Sequence, residues 1–339
     1  MPKRDERCLL DILGGESGCL EFARDFYARV ATDEVLKPLF PGKSFRCATE
    51  EFSAFLIQFL DGDPDQTQYR WWLSLRESHA RFEISARQRM AWLRHMRETI
   101  RSKVGDPDLQ HALEQFFGVT SAYLVGGEEA APEHPELYDR WCRQRALDQL
   151  IQELVNGSDS EAIALARRFA LQPAVFVGIL ARMMRTARVQ PIDFVLESIN
   201  HERDLAKAMF SGRTLLHFAA GNACLPVVRL ILSLGVDPDV PDRGGHTPLY
   251  RAAGSPFPVD GPSVVRELVQ AGASIDHGGG VNRSTPLHEA ARHGRFEIAE
   301  MLLKLGANPE VRDKNGFTPL LRAQNCRKQD VAKLLAARR

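Results

Sequence analysis

The sequence predicts an all-α protein made of successive helical parts. Three observations carry this. Apolar residues recur at intervals of three and four through roughly the first two hundred positions, the spacing of one buried helix face. No stretch of the first region alternates apolar and polar residues with period two, and β-branched runs are few there. From residue 211 onward a short motif returns every 33 to 38 residues, each copy followed by an apolar helical segment. At 339 residues, the chain is long enough for two or three domains, each with its own core.

Residues 5–125 make the first part. Leu9, Leu10 and Ile12 lead into Gly14-Gly15, which stops a short helix. Leu20, Phe22, Phe26, Tyr27 and Val30 then share one face of a second helix. Pro38 and Pro41-Gly42 break the chain around Phe40. Phe52, Phe55, Leu56 and Phe59 lie at i, i+3, i+4 and i+7, an aromatic stripe on a third helix. The polar loop DGDPDQTQ precedes a short helical piece, Trp71 to His79. Ser85 with Gln88 three residues on is a capping box, opening a helix that runs through Val104. Asp106-Pro107 reads as an N-cap with proline at the first helical position. The helix it starts, from about Leu109 to Leu124, offers Leu113, Phe116 and Phe117 for burial. Gly126-Gly127 and the run EEAAPEHPE make residues 126–137 a linker. Residues 138–210 are again helical, broken at Asn156-Gly157 and Gln172-Pro173. They carry no motif and read as a connector, or as degenerate hairpins capping the C-terminal part of the chain.

Residues 211–339 repeat. TLLHFAA begins at Thr214, TPLYRAA at Thr247, TPLHEAA at Thr285 and TPLLRAQ at Thr318, spaced by 33, 38 and 33 residues. The apolar segments VVRLILSLG, VVRELVQAG, IAEMLLKLG and VAKLLAA follow in turn. Thr caps a first helix, Pro starts it, and Leu and Ala pack between copies. The glycine after each of the first three second helices supplies a left-handed stop. A period near 33 with this motif in register resembles the ankyrin repeats, which implies a solenoid with short β-turn loops and a protein partner. In the second copy SPFPVDGPS lengthens the connection between the helices by five residues, and the fourth copy ends at its second helix, as a terminal cap does.

Composition excludes several function classes. Forty-four Lys and Arg balance forty-four Asp and Glu, so no global basic excess points to nucleic acid. No run approaches the roughly 18 apolar residues that span a bilayer, so no membrane insertion is expected. The opening MPKRDERCLLDILGG lacks a signal-peptide core, and the chain reads as cytoplasmic. Six scattered cysteines with no C-x-x-C read as free thiols, not as a zinc site or disulfide framework. His217 and His288 occupy the histidine of the repeat motif, where the ring satisfies backbone groups. His288 and His293 are five apart, about 140° out of line on a helix, which rules out a zinc-protease pair. The turn GGESG places Ser17 at a helix start and not on a nucleophile elbow.

His79 is set apart by its company. A lone histidine beside an apolar segment is ordinarily structural. Here RESHARFEI, the following Trp92 and the upstream FYARVATDEVLKPLFPG together resemble the truncated hemoglobins, specifically the group with Trp on the helix after the proximal histidine. The resemblance implies a two-on-two helical globin sandwich enclosing heme, an iron protoporphyrin. It implies His79 as the iron and metal ligand, Tyr27 as a distal hydroxyl, and Trp92 as the indole lining the distal side. Phe40 would pack on the porphyrin, Ala48 and Phe52 would stand on the distal helix, and Phe82 and Ile84 would follow the ligand. Glu51 stands where the family often has a basic residue reaching a propionate, which leaves Arg76 and Arg81 as substitutes. The function implied is binding of a diatomic gas (oxygen, nitric oxide or carbon monoxide), coupled or tethered to protein recognition by the repeats. A heme enzyme consuming nitric oxide or peroxide is the second expectation, and an ankyrin scaffold with a vestigial globin the third.

Overall fold

The computed structural model describes residues 9–40, 45–60, 75–79, 82–127, 130–257 and 260–337. It divides into two compact units, residues 1–153 and 154–339. Helices dominate both. Among the described residues the only extended elements are one two-stranded hairpin and one isolated bridge.

In the first unit α1 (Leu9–Ile12) ends at Gly14 and Gly15, whose φ angles of 87° and 69° suit glycine. α2 (Gly15–Val30) begins there, and Ser17 Oγ donates to the Gly14 carbonyl as a helix-start turn. A Cβ on Gly18 would lie 1.7 Å from the Leu13 carbonyl, so only glycine lets α1 turn into α2. α3 (Arg46–Phe59) packs on α2. α4 (Leu75–His79) is one short turn; the loop DGDPDQTQ, Trp71 and Arg81 lie outside the described residues. α5 (Ala86–Lys103) opens with the expected capping box: Gln88 N–H donates to Ser85 Oγ, and Ser85 N–H donates to the Gln88 side chain. α6 (Pro107–Leu124) is capped by Asp106, which accepts from the Asp108 and Leu109 amides. α2 also packs on α5, and α5 on α6, so two helix pairs face each other. Phe22, Phe26, Leu36, Met96, Ile100 and Phe116 are almost fully buried between them. α7 (Pro135–Asn156) starts inside the stretch read as a linker and buries Leu137 and Trp141 in the same core.

The second unit stacks hairpins. α8 (Asp159–Arg167), α9 (Pro173–Met184) and α10 (Val189–His201) precede a tight turn between β1 (Met209–Phe210) and β2 (Arg213–Thr214). Ser211 and Gly212, at φ 53° and 70°, supply the two left-handed residues this turn demands. The motif copies follow as inner helices α11 (Leu215–Gly221), α13 (Pro248–Ala253), α15 (Pro286–His293) and α17 (Pro319–Asn325). The outer helices are α12 (Leu225–Ser233), α14 (Gly261–Gln270), α16 (Phe296–Lys304) and α18 (Gln329–Ala336). Inner helices pack on inner and outer on outer, and α9 and α10 join the two rows by packing on α11 and α12. Thr247, Thr285 and Thr318 cap their helices as expected, accepting from the amide three residues on. Gly235, Gly272 and Gly306 are left-handed at the outer-helix ends.

The motif histidines do structural work. The ring of His217 meets Thr214 Oγ1 at 2.9 Å through Nδ1 and the His246 carbonyl at 3.1 Å through Nε2. His288 repeats this with Thr285 and the Phe317 carbonyl. Burial pushes the His217 imidazole down to about 4; the His246 carbonyl and Asp242 act against this, and Arg251 and Arg213 add to it. His288 is lowered by burial as well. A histidine whose folded pKa lies below the unfolded value of about 6.5 takes up its proton more readily in the unfolded chain. Its stabilising contribution is complete above about pH 6.5 and drains away as pH falls toward the folded value. Amide exchange protection across α11–α17 should therefore decline between pH 6.5 and 4.5, by on the order of 3 kcal/mol for His217. His217→Gln should flatten that slope; protection independent of pH in wild type would contradict the assignment.

Candidate functional site

The first unit gathers an excess of aromatic rings that its core does not swallow. Tyr27, Phe40, Phe45, Phe52, Phe55, Phe59 and Trp92 pack against the buried core yet remain half-buried.

The rings form one connected chain. α2 turns Phe26 inward with Tyr27 beside it, ring centres 5.1 Å apart, and Trp92 of α5 meets Phe26 edge-on at 5.4 Å. Tyr27 and Trp92, the two hydrogen-bond donors of the set, thus both contact one buried ring. Phe52 of α3 lies 6.2 Å from Tyr27 and 6.3 Å from Phe117, and Phe117 lies 5.8 Å from Trp92. From Tyr27 the chain continues to Phe40 at 5.6 Å, from Phe40 to Phe82 at 6.1 Å, and from Phe82 to His79 at 6.4 Å. Residues from α2, α3, α4, α5 and the two corners between them therefore meet in one cluster.

His79 ends α4, and its Nδ1 lies 2.9 Å from the Leu75 carbonyl. A carbonyl only accepts, so Nδ1 carries a proton, which in the neutral ring leaves the lone pair on Nε2. That is the tautomer a metal-ligating histidine adopts when its other nitrogen donates to backbone. The donor chemistry and the apolar rings fit heme. Ala48, in the first turn of α3, and Ile84, in the extended segment before α5, are both half-buried. Arg76 is exposed, with its guanidinium 4.0 Å over the Tyr123 ring. Arg145 also lies over that ring, and Tyr123 sits edge-on to Trp141. Burial pushes the Tyr123 phenol up to about 12, with Asp148 adding to the shift. Glu51 is half-buried on α3.

A groove of about 630 Å³ lies between α2 and the start of α3, walled by Leu20, Arg24, Tyr27, Phe45 and Thr49 among others. It touches Tyr27 but His79 is not among its walls. The chemistry argues for the ring cluster over this groove as the heme site, because only the cluster contains a histidine; the groove's one carboxylate, Glu50, is paired with Arg46. Among the described residues no three His, Cys, Asp or Glu side chains converge on a metal position, and no helix is long and apolar enough to cross a membrane. Cys19 is buried, and burial together with Glu16 pushes its thiol up to about 12.

Two contributors escaped the sequence reading. Phe45 packs on both Tyr27 and Phe40, at 5.8 and 5.2 Å; standing seven residues before Phe52, it continues the same helical stripe. Asp33 builds the corner that carries Phe40. Its Oδ1 accepts from the Val35 and Leu36 amides, and its Oδ2 from Arg94 at 2.7 Å and His95 at 2.8 Å. The His95 bond, helped by the two amides, holds the Asp33 carboxyl below the usual range despite burial. Only an Asp two to three residues before a tight turn hinted at this.

The chain matches two family models. Residues 8–122 match Bacterial-like globin, and residues 183–277 and 259–339 match Ankyrin repeats (3 copies). Curated relatives include the ZDHHC13 protein of Danio rerio, 30% identical over 133 residues (39% of this chain, 20% of the relative). Alpha-latrotoxin-Lh1a of Latrodectus hasselti is 34% identical over 129 residues, 36% of this chain and 9% of the toxin. The human SMC5-SMC6 complex localization factor protein 1 is 33% identical over 126 residues, 36% of this chain and 12% of that protein. The chain thus spans a fifth or less of the length of each of these relatives.

Asp33→Asn should lower the unfolding free energy of the first unit by about 1–2 kcal/mol at pH 7, the cost of weakening charge-assisted bonds to a half-buried carboxylate. Because the folded pKa is depressed, this contribution is present above about 3.9 and is lost as pH falls through the folded value. Urea unfolding at pH 7 and pH 3.5 measures it, and an equal difference at both would refute the carboxylate's role. Ring cluster, ankyrin stack and family matches together make this chain a bacterial-like globin domain fused to C-terminal ankyrin repeats.

Proposed function

We propose that the first unit holds heme on His79 and binds a diatomic gas, and that the ankyrin unit ties this to recognition of another protein. The observation that carries the reading is the Nδ1 bond of His79 to the Leu75 carbonyl, at the end of a ring chain reaching Tyr27 and, through Phe26, Trp92. When bound, the heme iron supplies a coordination position for oxygen, nitric oxide or carbon monoxide. The chain's residues do the rest. The Leu75 carbonyl holds the His79 tautomer. Phe40, Phe52 and Phe82 give apolar contact and exclude water, with Ala48 and Ile84 filling the edge. The Tyr27 hydroxyl and the Trp92 indole N–H are the donors available to a polar ligand. Arg76 steadies α4 against α6 through Tyr123, while remaining exposed enough to face a propionate.

Purified protein should show a Soret band that His79→Ala abolishes while far-UV circular dichroism stays within a few per cent of wild type. Full stoichiometric heme in the variant would rule His79 out, and a wild-type chain that takes up no added hemin would favour the ankyrin scaffold with a vestigial globin. A donor bond to a charged acceptor contributes roughly 1.5–3 kcal/mol. Tyr27→Phe should therefore speed oxygen release about 10- to 100-fold in stopped flow, at about 1.4 kcal/mol per decade. An unchanged rate would leave Trp92 as the sole donor. Rapid multiple turnovers of nitric oxide or peroxide with an external reductant would instead mark a heme enzyme.

A further inference from the structure

The ankyrin unit sorts its charges by row. The outer helices are balanced: Arg229, Arg266, Lys304 and Lys333 stand against Glu267, Glu297, Glu300 and Asp330. The inner helices and the turns between repeats (209–214, 240–247, 277–285 and 311–318) are not. They carry eight Arg and Lys against three carboxylates. Each of those carboxylates is buried and held within the chain: Asp242 by Arg251, Asp313 by Arg322 and Glu289 by Arg292. Within these turn tips the charge presented to solvent is of one sign; earlier in the same connections stand Asp237 and Glu310, which are exposed, and Asp239 and Asp276, which accept from the Ser274 and Asn308 amides of the following connection.

The backbone sets these turns in a row. Arg243 N–H donates to the Gly212 carbonyl at 2.9 Å, Gly280 N–H to the Gly245 carbonyl at 3.3 Å, and Lys314 N–H to the Asn282 carbonyl at 2.8 Å. This ladder joins four successive turns and aligns Arg213, Arg243, Arg283 and Lys314 along it, with Arg312 beside the last. Arg243, Arg283, Arg312 and Lys314 are exposed, as is Val281 at 82%. Leu321 at 36% and the half-buried Tyr250 add apolar contact on the inner helices.

We infer that this ladder and the inner-helix face take an extended acidic protein segment carrying occasional apolar side chains. The inference rests on the reading of the ankyrin unit as a protein-recognition module and names its partner's chemistry. A single-signed row of exposed guanidinium and ammonium groups repels basic segments and attracts carboxylates. Arginine forks bind carboxylates in pairs. Val281, Leu321 and Tyr250 favour a peptide with apolar side chains over a bare phosphate backbone.

Panning a phage-displayed library of random 12-residue peptides on the full chain tests this. Asp and Glu should be enriched at least threefold among the selected peptides. A selected peptide, followed by fluorescence anisotropy, should bind about tenfold more weakly as salt rises from 0.05 to 0.3 M. The triple variant Arg243→Glu, Arg283→Glu, Lys314→Glu should lose at least tenfold in affinity, and Arg243→Gln, Arg283→Gln, Lys314→Gln should lose less while keeping wild-type ellipticity. The outer-row control Arg229→Glu, Lys304→Glu, Lys333→Glu should bind as wild type does. Selected peptides without acidic bias, or binding untouched by the ladder variants, would overturn the acidic assignment and leave protein recognition standing. No enrichment at all would overturn both. Tighter binding of a 20-nucleotide polyuridylate than of any selected peptide would assign the face to nucleic acid instead.

Discussion

The first unit depends on keeping large apolar rings from closing fully upon themselves. Burying a phenylalanine completely contributes roughly 1.5–3 kcal/mol, and this chain leaves several half-buried along one seam. It can do so because the rings stand on a stiff frame. Behind them Phe22, Phe26, Met96, Ile100 and Phe116 are almost wholly enclosed between two helix pairs. The helix starts are fastened by Ser85 with Gln88 and by Asp106, and the α2–α3 corner by Asp33. The seam is a property of the frame: loosen a cap or the corner and the rings regain the freedom to pack among themselves.

The ankyrin unit solves a different problem, the satisfaction of buried polar groups between stacked copies. Thr, His and a carbonyl from the next copy recur as one unit, with each imidazole neutral and fully engaged. A second recurring unit, Asp242 with Arg251 and Asp313 with Arg322, ties turn to inner helix. Burial alone would raise the Asp242 carboxyl, yet bonds from His246 and Arg251 hold it well below the carboxylate range. Hiding the carboxylates inside these pairs leaves arginine and lysine to face solvent along the turns, so the same bonds that stabilise the stack set its surface charge.

Much of this was readable from local spacing. The Ser85–Gln88 capping box, the Asp106-Pro107 start and the glycine stops each involve residues within four positions of one another, and each holds in the structure; the motif histidines follow from the repeat, their Nε2 partners lying in the next copy. Phe45 was missed because it sits just outside its helix, and Asp33 because its partners Arg94 and His95 are some sixty residues away. The start of α7 was misplaced because charged Glu136 and the prolines around it read as linker, whereas Leu137 and Trp141 find a core supplied by distant helices.

By itself the sequence determined the all-α class, the helix starts and stops and the repeat period. These follow from short-range geometry, in which a residue's neighbours in the chain are also its neighbours in space. Tertiary structure decided which rings meet, that Phe26 contacts both Tyr27 and Trp92, that Arg76 rests on Tyr123, and that the basic residues of four turns line up while Asp242 and Asp313 are hidden. Those facts depend on helix packing and on backbone bonds between copies some thirty residues apart, and no local pattern encodes the direction in which a side chain is turned by partners so remote.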